Sequence, residues 1–146
     1  MLNGIVHAHS GLRWVVLALL IYVIYASFVK WQGKKPYTES DRKAALYAML
    51  SVHIQLLLGL FLYFAGSKVD FGADFMKDPI YRFFMVEHLS LMLIAIVLVT
   101  LGYTRSKKAV AASAKFKTTF WYYVVALLLI LLGIPWPFRG LGTGWF

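Results

Sequence analysis

Four long apolar runs dictate what this chain can become. They cover 12–29, 44–66, 83–103 and 118–138. Each is close to the 20 or so residues that a helix, rising about 1.5 Å per residue, needs to cross roughly 30 Å of hydrocarbon. Charges inside the runs are confined to Arg13, at the start of the first, and Glu87, in the third. In a bilayer the backbone must satisfy its own hydrogen bonds, and runs of this length do so as helices. Only 14% of the 146 residues are charged, well below the roughly 25% of a soluble domain, so water is not the main solvent for this surface.

The sequence therefore predicts an all-α, integral-membrane, up-down four-helix bundle, a single transmembrane domain over 1–146 with helices at about 5–30, 43–66, 80–103 and 117–134 and a tail over 135–146. The first run has no preceding Lys or Arg and no clear small-residue cleavage site, so it reads as a retained helix rather than a removable signal. Pro135 and Pro137 end the fourth helix, because proline lacks the donor that continues the ladder. The gaps between runs hold no second domain, repeat or low-complexity tract.

The formal charge of +9 is explained by where the basic residues fall. Ten of the fifteen sit in the first and third gaps: Lys30, Lys34, Lys35, Arg42 and Lys43, then Arg105, Lys107, Lys108, Lys115 and Lys117. The middle gap balances Lys68, Lys77 and Arg82 against Asp70, Asp74 and Asp78. The positive-inside rule then places the two basic gaps in the cytoplasm and both termini outside, an N-out/C-out topology. Charge that serves topology in this way removes the case for nucleic-acid binding. Trp14, Trp31, Trp121, Tyr122, Tyr123, Trp136 and Trp145 lie near run ends, where amphipathic rings anchor at the headgroup level.

Ionisable residues inside a membrane are costly and mark functional candidates. Here they are His7, His9, Arg13, His53, Glu87 and His88, all on the first three helices. Counted from cytoplasmic helix ends at Lys30, Lys43 and Tyr103, His9 stands at about 31 Å, Arg13 and Glu87 at about 25 Å, His88 at about 22 Å and His53 at about 15 Å. That spread disfavours one zinc or copper ion shared by three histidines, whose ligands must approach within about 2 Å. It fits haem, a large apolar plate that takes one imidazole on each face.

His7 and His9 lie about 200° apart around a helix, and His9 shares a face with Arg13, so His9 faces inward and His7 is interfacial. His53 with His88 is the preferred axial pair for a haem b iron, and His9 with His88 is the alternative. Arg13, Arg82 or Arg139 would hold a propionate, since guanidinium matches carboxylate in a bidentate fork. The bland reading of Arg13 and Glu87 is an interhelical ion pair, and that of His53, Ser51 and Gln55 is hydrogen bonding between helices. With no cysteine, the chain has no route to thiolate ligation or covalent haem attachment.

The segments His9-Ser10-Gly11-Leu12-Arg13-Trp14, His53-Ile54-Gln55-Leu56-Leu57-Leu58-Gly59, Val86-Glu87-His88 and Ile134-Pro135-Trp136-Pro137-Phe138 resemble a family of small bacterial four-helix membrane proteins labelled cytochrome b-like. The resemblance covers nearly the whole chain. The His53, Gln55 and Gly59 spacing is also similar to a helix of haem A synthases, and the bundle to those of the cytochrome b561 kind. The resemblance implies a haem-binding protein of the bacterial inner membrane.

Three functions are then in play. The first is electron transfer through haem b, from membrane quinol to an outer-side acceptor or another membrane redox protein. No Gly-rich phosphate loop is present for a nicotinamide donor. The second is a non-catalytic structural subunit of a membrane complex, in which the histidines lock helices together. An ion or small-solute carrier is third, because the cytoplasmic half of the second helix lacks a polar path beyond His53.

Overall fold

The structure is a computed structural model that describes residues 2–66, 69, 72, 74 and 76–145. Four helices account for most of it: α1 (Leu2–Gln32), α2 (Glu39–Ala65), α3 (Pro79–Lys108) and α4 (Ala112–Gly133). All four are long and apolar enough to cross a membrane, and no strand occurs among the described residues. A 3-10 turn, Pro137–Arg139, follows α4.

The helices run further than the apolar runs at the basic end, where links 33–38 and 109–111 join them. A capping box starts α2 early: Asp41 N–H donates to Thr38 Oγ1 at 3.4 Å and Thr38 N–H to Asp41 Oδ2 at 3.0 Å. Asp41 also pairs with Lys30 Nζ at 2.5 Å, tying the end of α1 to the start of α2. Arg42 donates to the Tyr103 hydroxyl at 3.0 Å and ties α2 to α3. Hydropathy places helix ends where side chains turn polar, but the backbone ladder continues through those residues. The corrected boundary of α3, at Lys108 rather than near Tyr103, raises everything on that helix by about 7 Å relative to the sequence count.

The helices form a ring in which α1 packs on α2 and α4, and α3 on α4 and α2, leaving α1 and α3 diagonal; the α2–α3 contact is the least extensive. Small residues line the close approaches: Ala45 and Ala48 on α2, Ala95 and Gly102 on α3, and Ala126 on α4 are buried. This is how helices associate where lipid tails remove the hydrophobic drive. A Cβ on Gly102 would lie 2.6 Å from the Cβ of Tyr122, so α3 and α4 touch there only because the side chain is missing. Tyr123, fully buried, crosses the interior and donates its hydroxyl to the Ala45 carbonyl at 2.8 Å.

The core is lopsided along the bundle axis. On α1 the buried residues start at Arg13, and on α2 they stop at Val52. The end that carries His9 and His88 is therefore packed more loosely on the α1 and α2 side. Gly102→Val is expected to lower the unfolding free energy by about 1–3 kcal/mol in a reversible detergent titration, as overpacking does. Gly4→Val, with open space around it, serves as the control, and equal effects at both sites would refute the close-contact account.

Candidate functional site

The loosely packed end brings one group from each helix to a common level. Counted from the basic-end helix termini Gln32, Glu39, Lys108 and Ala112, His9, Gly59, His88 and Gly133 all stand about 30–35 Å up. The sequence count separated His9 from His88 by about 9 Å, and the longer α3 halves that offset to about 4.5 Å. Across the bundle the two imidazoles face each other with ring centroids 6.4 Å apart and planes 71° apart.

His88 sits at the end of a π-helical segment, Phe83–His88, within α3. The wider turn re-aims side chains, and such segments gather at functional sites. Its Nδ1 lies 2.7 Å from the Gly133 carbonyl. A carbonyl only accepts, so this nitrogen carries the proton and Nε2 is left with a bare lone pair. The Phe83 and Phe84 rings flank the imidazole at 6.0 and 6.2 Å. The Arg139 guanidinium lies 4.6 Å from the Phe83 ring centroid on its face.

His9 rests against Gly59, where a Cβ would stand 3.1 Å from its Cε1. Gln55 holds the backbone beside it, donating Nε2 to the His9 carbonyl at 2.8 Å. His9 Nδ1 and Gln55 Oε1 are buried with no protein partner. Buried polar atoms are nearly always paired, so two orphans at one helix contact make this the place to look for a further partner.

Arg13 is buried, and its Nη2 donates to the Trp145 carbonyl at 2.6 Å. Its guanidinium is 5.3 Å from the Trp14 ring centroid and 5.9 Å from that of Trp136, while its Nε has no partner. Trp14 Nε1 reaches the same carbonyl at 3.2 Å, and Thr143 Oγ1 donates to the Pro135 carbonyl at 2.5 Å. The tail after α4 is thus folded back over this end of the bundle.

The remaining sequence candidates are placed elsewhere. Arg13 and Glu87 do not form the ion pair expected of them, because Arg13 is taken by the tail and Glu87 accepts from Arg82 Nε at 3.1 Å. His53 lies deeper: its Nδ1 donates to the Met49 carbonyl at 2.7 Å and its Nε2 is 3.4 Å from Thr100 Oγ1. Thr100 is three turns along α3 from His88, about 18 Å, so His53 and His88 are not brought together. His7 is exposed. Lys68 and Asp70, weighed in the topology count, lie outside the described residues.

Sequence reading missed the roles of Gly133 and of the Trp145 carbonyl. Among the described residues no group of three or more His, Cys, Asp or Glu could hold a metal ion. No protein-family model, curated protein or solved structure matches the chain.

The Arg13 latch has a direct test. Arg13→Leu is expected to raise amide hydrogen exchange across 139–145 by at least about fivefold, the worth of one charge-assisted hydrogen bond, while exchange in the middle of α3 and α4 stays unchanged. Unaltered exchange in the tail would show that the tryptophan cluster alone holds it.

Proposed function

We propose that this chain is a multi-pass membrane protein that binds one b-type haem between His9 and His88 and passes electrons through it. The observation that carries this reading is the 6.4 Å separation of the two imidazoles across the bundle. Two imidazoles bound to one metal at about 2 Å each would have ring centroids about 6 Å apart. Three further features support it. His88 already has its Nδ1 proton committed to Gly133, the arrangement that makes Nε2 a good ligand. His9 has a buried nitrogen with no protein partner. At the surrounding helix end α1 has no buried residue before Arg13 and α2 none after Val52.

In this reading haem supplies a one-electron couple at the bundle's end. Phe83 and Phe84 would exclude water from the site, and Arg13, through its unpartnered Nε, would offer a donor to a propionate. His53 acts as interhelical glue. The end of the bundle that carries Lys34, Lys35, Arg105, Lys107, Lys108, Lys115 and Lys117 faces the cytoplasm, which puts both termini on the outer side. Membrane quinol is the electron donor, and an outer-side acceptor or another membrane redox protein receives the electron. The setting is a bacterial inner membrane.

A structural subunit is the second reading, and one observation favours it. His88 caps an otherwise unpaired carbonyl and His53 donates its Nδ1 proton to the Met49 carbonyl, so both have work to do without a cofactor. Absorption spectra of the detergent-purified protein, oxidised and dithionite-reduced, separate the two. The haem reading expects a Soret band and a sharp reduced α-band at about one haem per chain. His9→Ala and His88→Ala should lose the band by at least tenfold, while His53→Ala keeps it. A featureless spectrum after haem supplementation would leave the structural subunit standing, and loss of haem on His53→Ala alone would move the axial ligand to α2. Reduction by a soluble quinol analogue tests the donor, and failure to reduce removes quinol from the scheme.

A further inference from the structure

We infer that Pro135 and Pro137 are positioning residues for His88. By leaving the Gly133 carbonyl without a helical donor, they fix His88 in the tautomer that presents a bare Nε2. The consequence for a bound iron rests on the haem reading above; the tautomer does not.

In an α-helix each carbonyl accepts from the N–H four residues on. For Leu131 and Gly133 those positions are Pro135 and Pro137, which have no N–H. Pro135 also pushes the preceding residue out of helical conformation, and Ile134 is extended at φ −69° and ψ 131°. Both stripped carbonyls are met by side chains from outside the ladder. Trp136 Nε1 donates to Leu131 at 3.0 Å, and His88 Nδ1 to Gly133 at 2.7 Å. Arg139 Nη1 completes the end, donating to the Leu132 and Ile134 carbonyls at 2.9 and 3.2 Å.

At Gly133 α4 lies close against α3, where a Cβ would stand 3.2 Å from the Leu91 Cβ and would displace the Met92 methyl. Unpaired carbonyls are costly in an apolar setting, so the imidazole is held to this partner. A proton held on Nδ1 by a carbonyl orients the ring and raises the basicity of Nε2. On a haem iron that would favour the ferric state and lower the potential.

The test uses full-length, haem-free protein in lipid nanodiscs, labelled with 15N-histidine. Wild-type His88 is expected as the Nδ1–H tautomer by NMR. In the double variant Pro135→Ala with Pro137→Ala, α4 can continue, and the new N–H at position 137 takes the Gly133 carbonyl. The ratio of Nδ1–H to Nε2–H tautomers at His88 should then fall about tenfold. Pro137→Ala alone leaves Pro135 to stop the helix, so His88 should be unchanged.

An Nε2-protonated His88 in the wild type overturns the inference whether or not the double variant folds. So does a double variant that folds with its tautomer ratio unaltered. In haem-loaded protein the double variant should show a higher midpoint potential. A chain that takes up no haem defeats the haem reading and leaves the tautomer result standing.

Discussion

The carbonyls stripped bare at the end of α4 organise the half of this molecule where its chemistry would lie. In water such groups would be hydrated at little cost, but beside apolar helices each must find a donor. Trp136, Arg139 and His88 supply them, and each choice has a structural consequence. Arg139 and Trp136 pin the turn after α4 against the bundle. His88 is drawn to α4, which turns its ring inward from α3. The tail then continues to Trp145, whose carbonyl meets the only charge buried among the described residues, Arg13.

Packing and polarity divide the bundle along its length. Toward the basic end the helices are sealed by alanine and glycine contacts, the Tyr123 hydroxyl and a full set of buried aliphatic residues. Toward the histidine end, α1 and α2 carry no buried residue beyond Arg13 and Val52, yet His9, Gln55 and Arg13 each keep an unpaired polar atom out of solvent. Loose apolar packing combined with unsatisfied polar atoms is expensive for a scaffold and economical for a binding site. His53, deeper in the bundle, is held within α2 by its Nδ1 bond to the Met49 carbonyl.

Much of the architecture was legible from residues alone, because hydropathy over about 20 residues is a strong signal. Four membrane-length helices and the stop at Pro135 follow from it. Helix ends at the basic side were not legible: capping by Thr38 and Asp41 starts α2 before its apolar run, and α3 continues past its own through Arg105, Lys107 and Lys108. That error, five residues on α3 against two on α1, doubled the apparent height difference between His9 and His88, while His53 was preferred as partner because α2 and α3 are adjacent. The Arg13–Glu87 pair failed for a different reason. Similar height says nothing about angle around the helix, and each residue had a nearer partner, one of them from the far end of the chain.

What the sequence by itself determined is the helical class, the four membrane-length segments and the small set of membrane ionisable residues worth testing. These follow from local facts, namely run length, charge placement and the missing donors of two prolines. Which residues meet was decided only by tertiary structure. The diagonal placement of α1 and α3, the π-helical turn before His88, the bare faces of Gly59 and Gly133 and the folded-back tail together set His9 against His88. Rotation of a helix about its axis depends on every contact along it, and no short stretch of sequence carries that information.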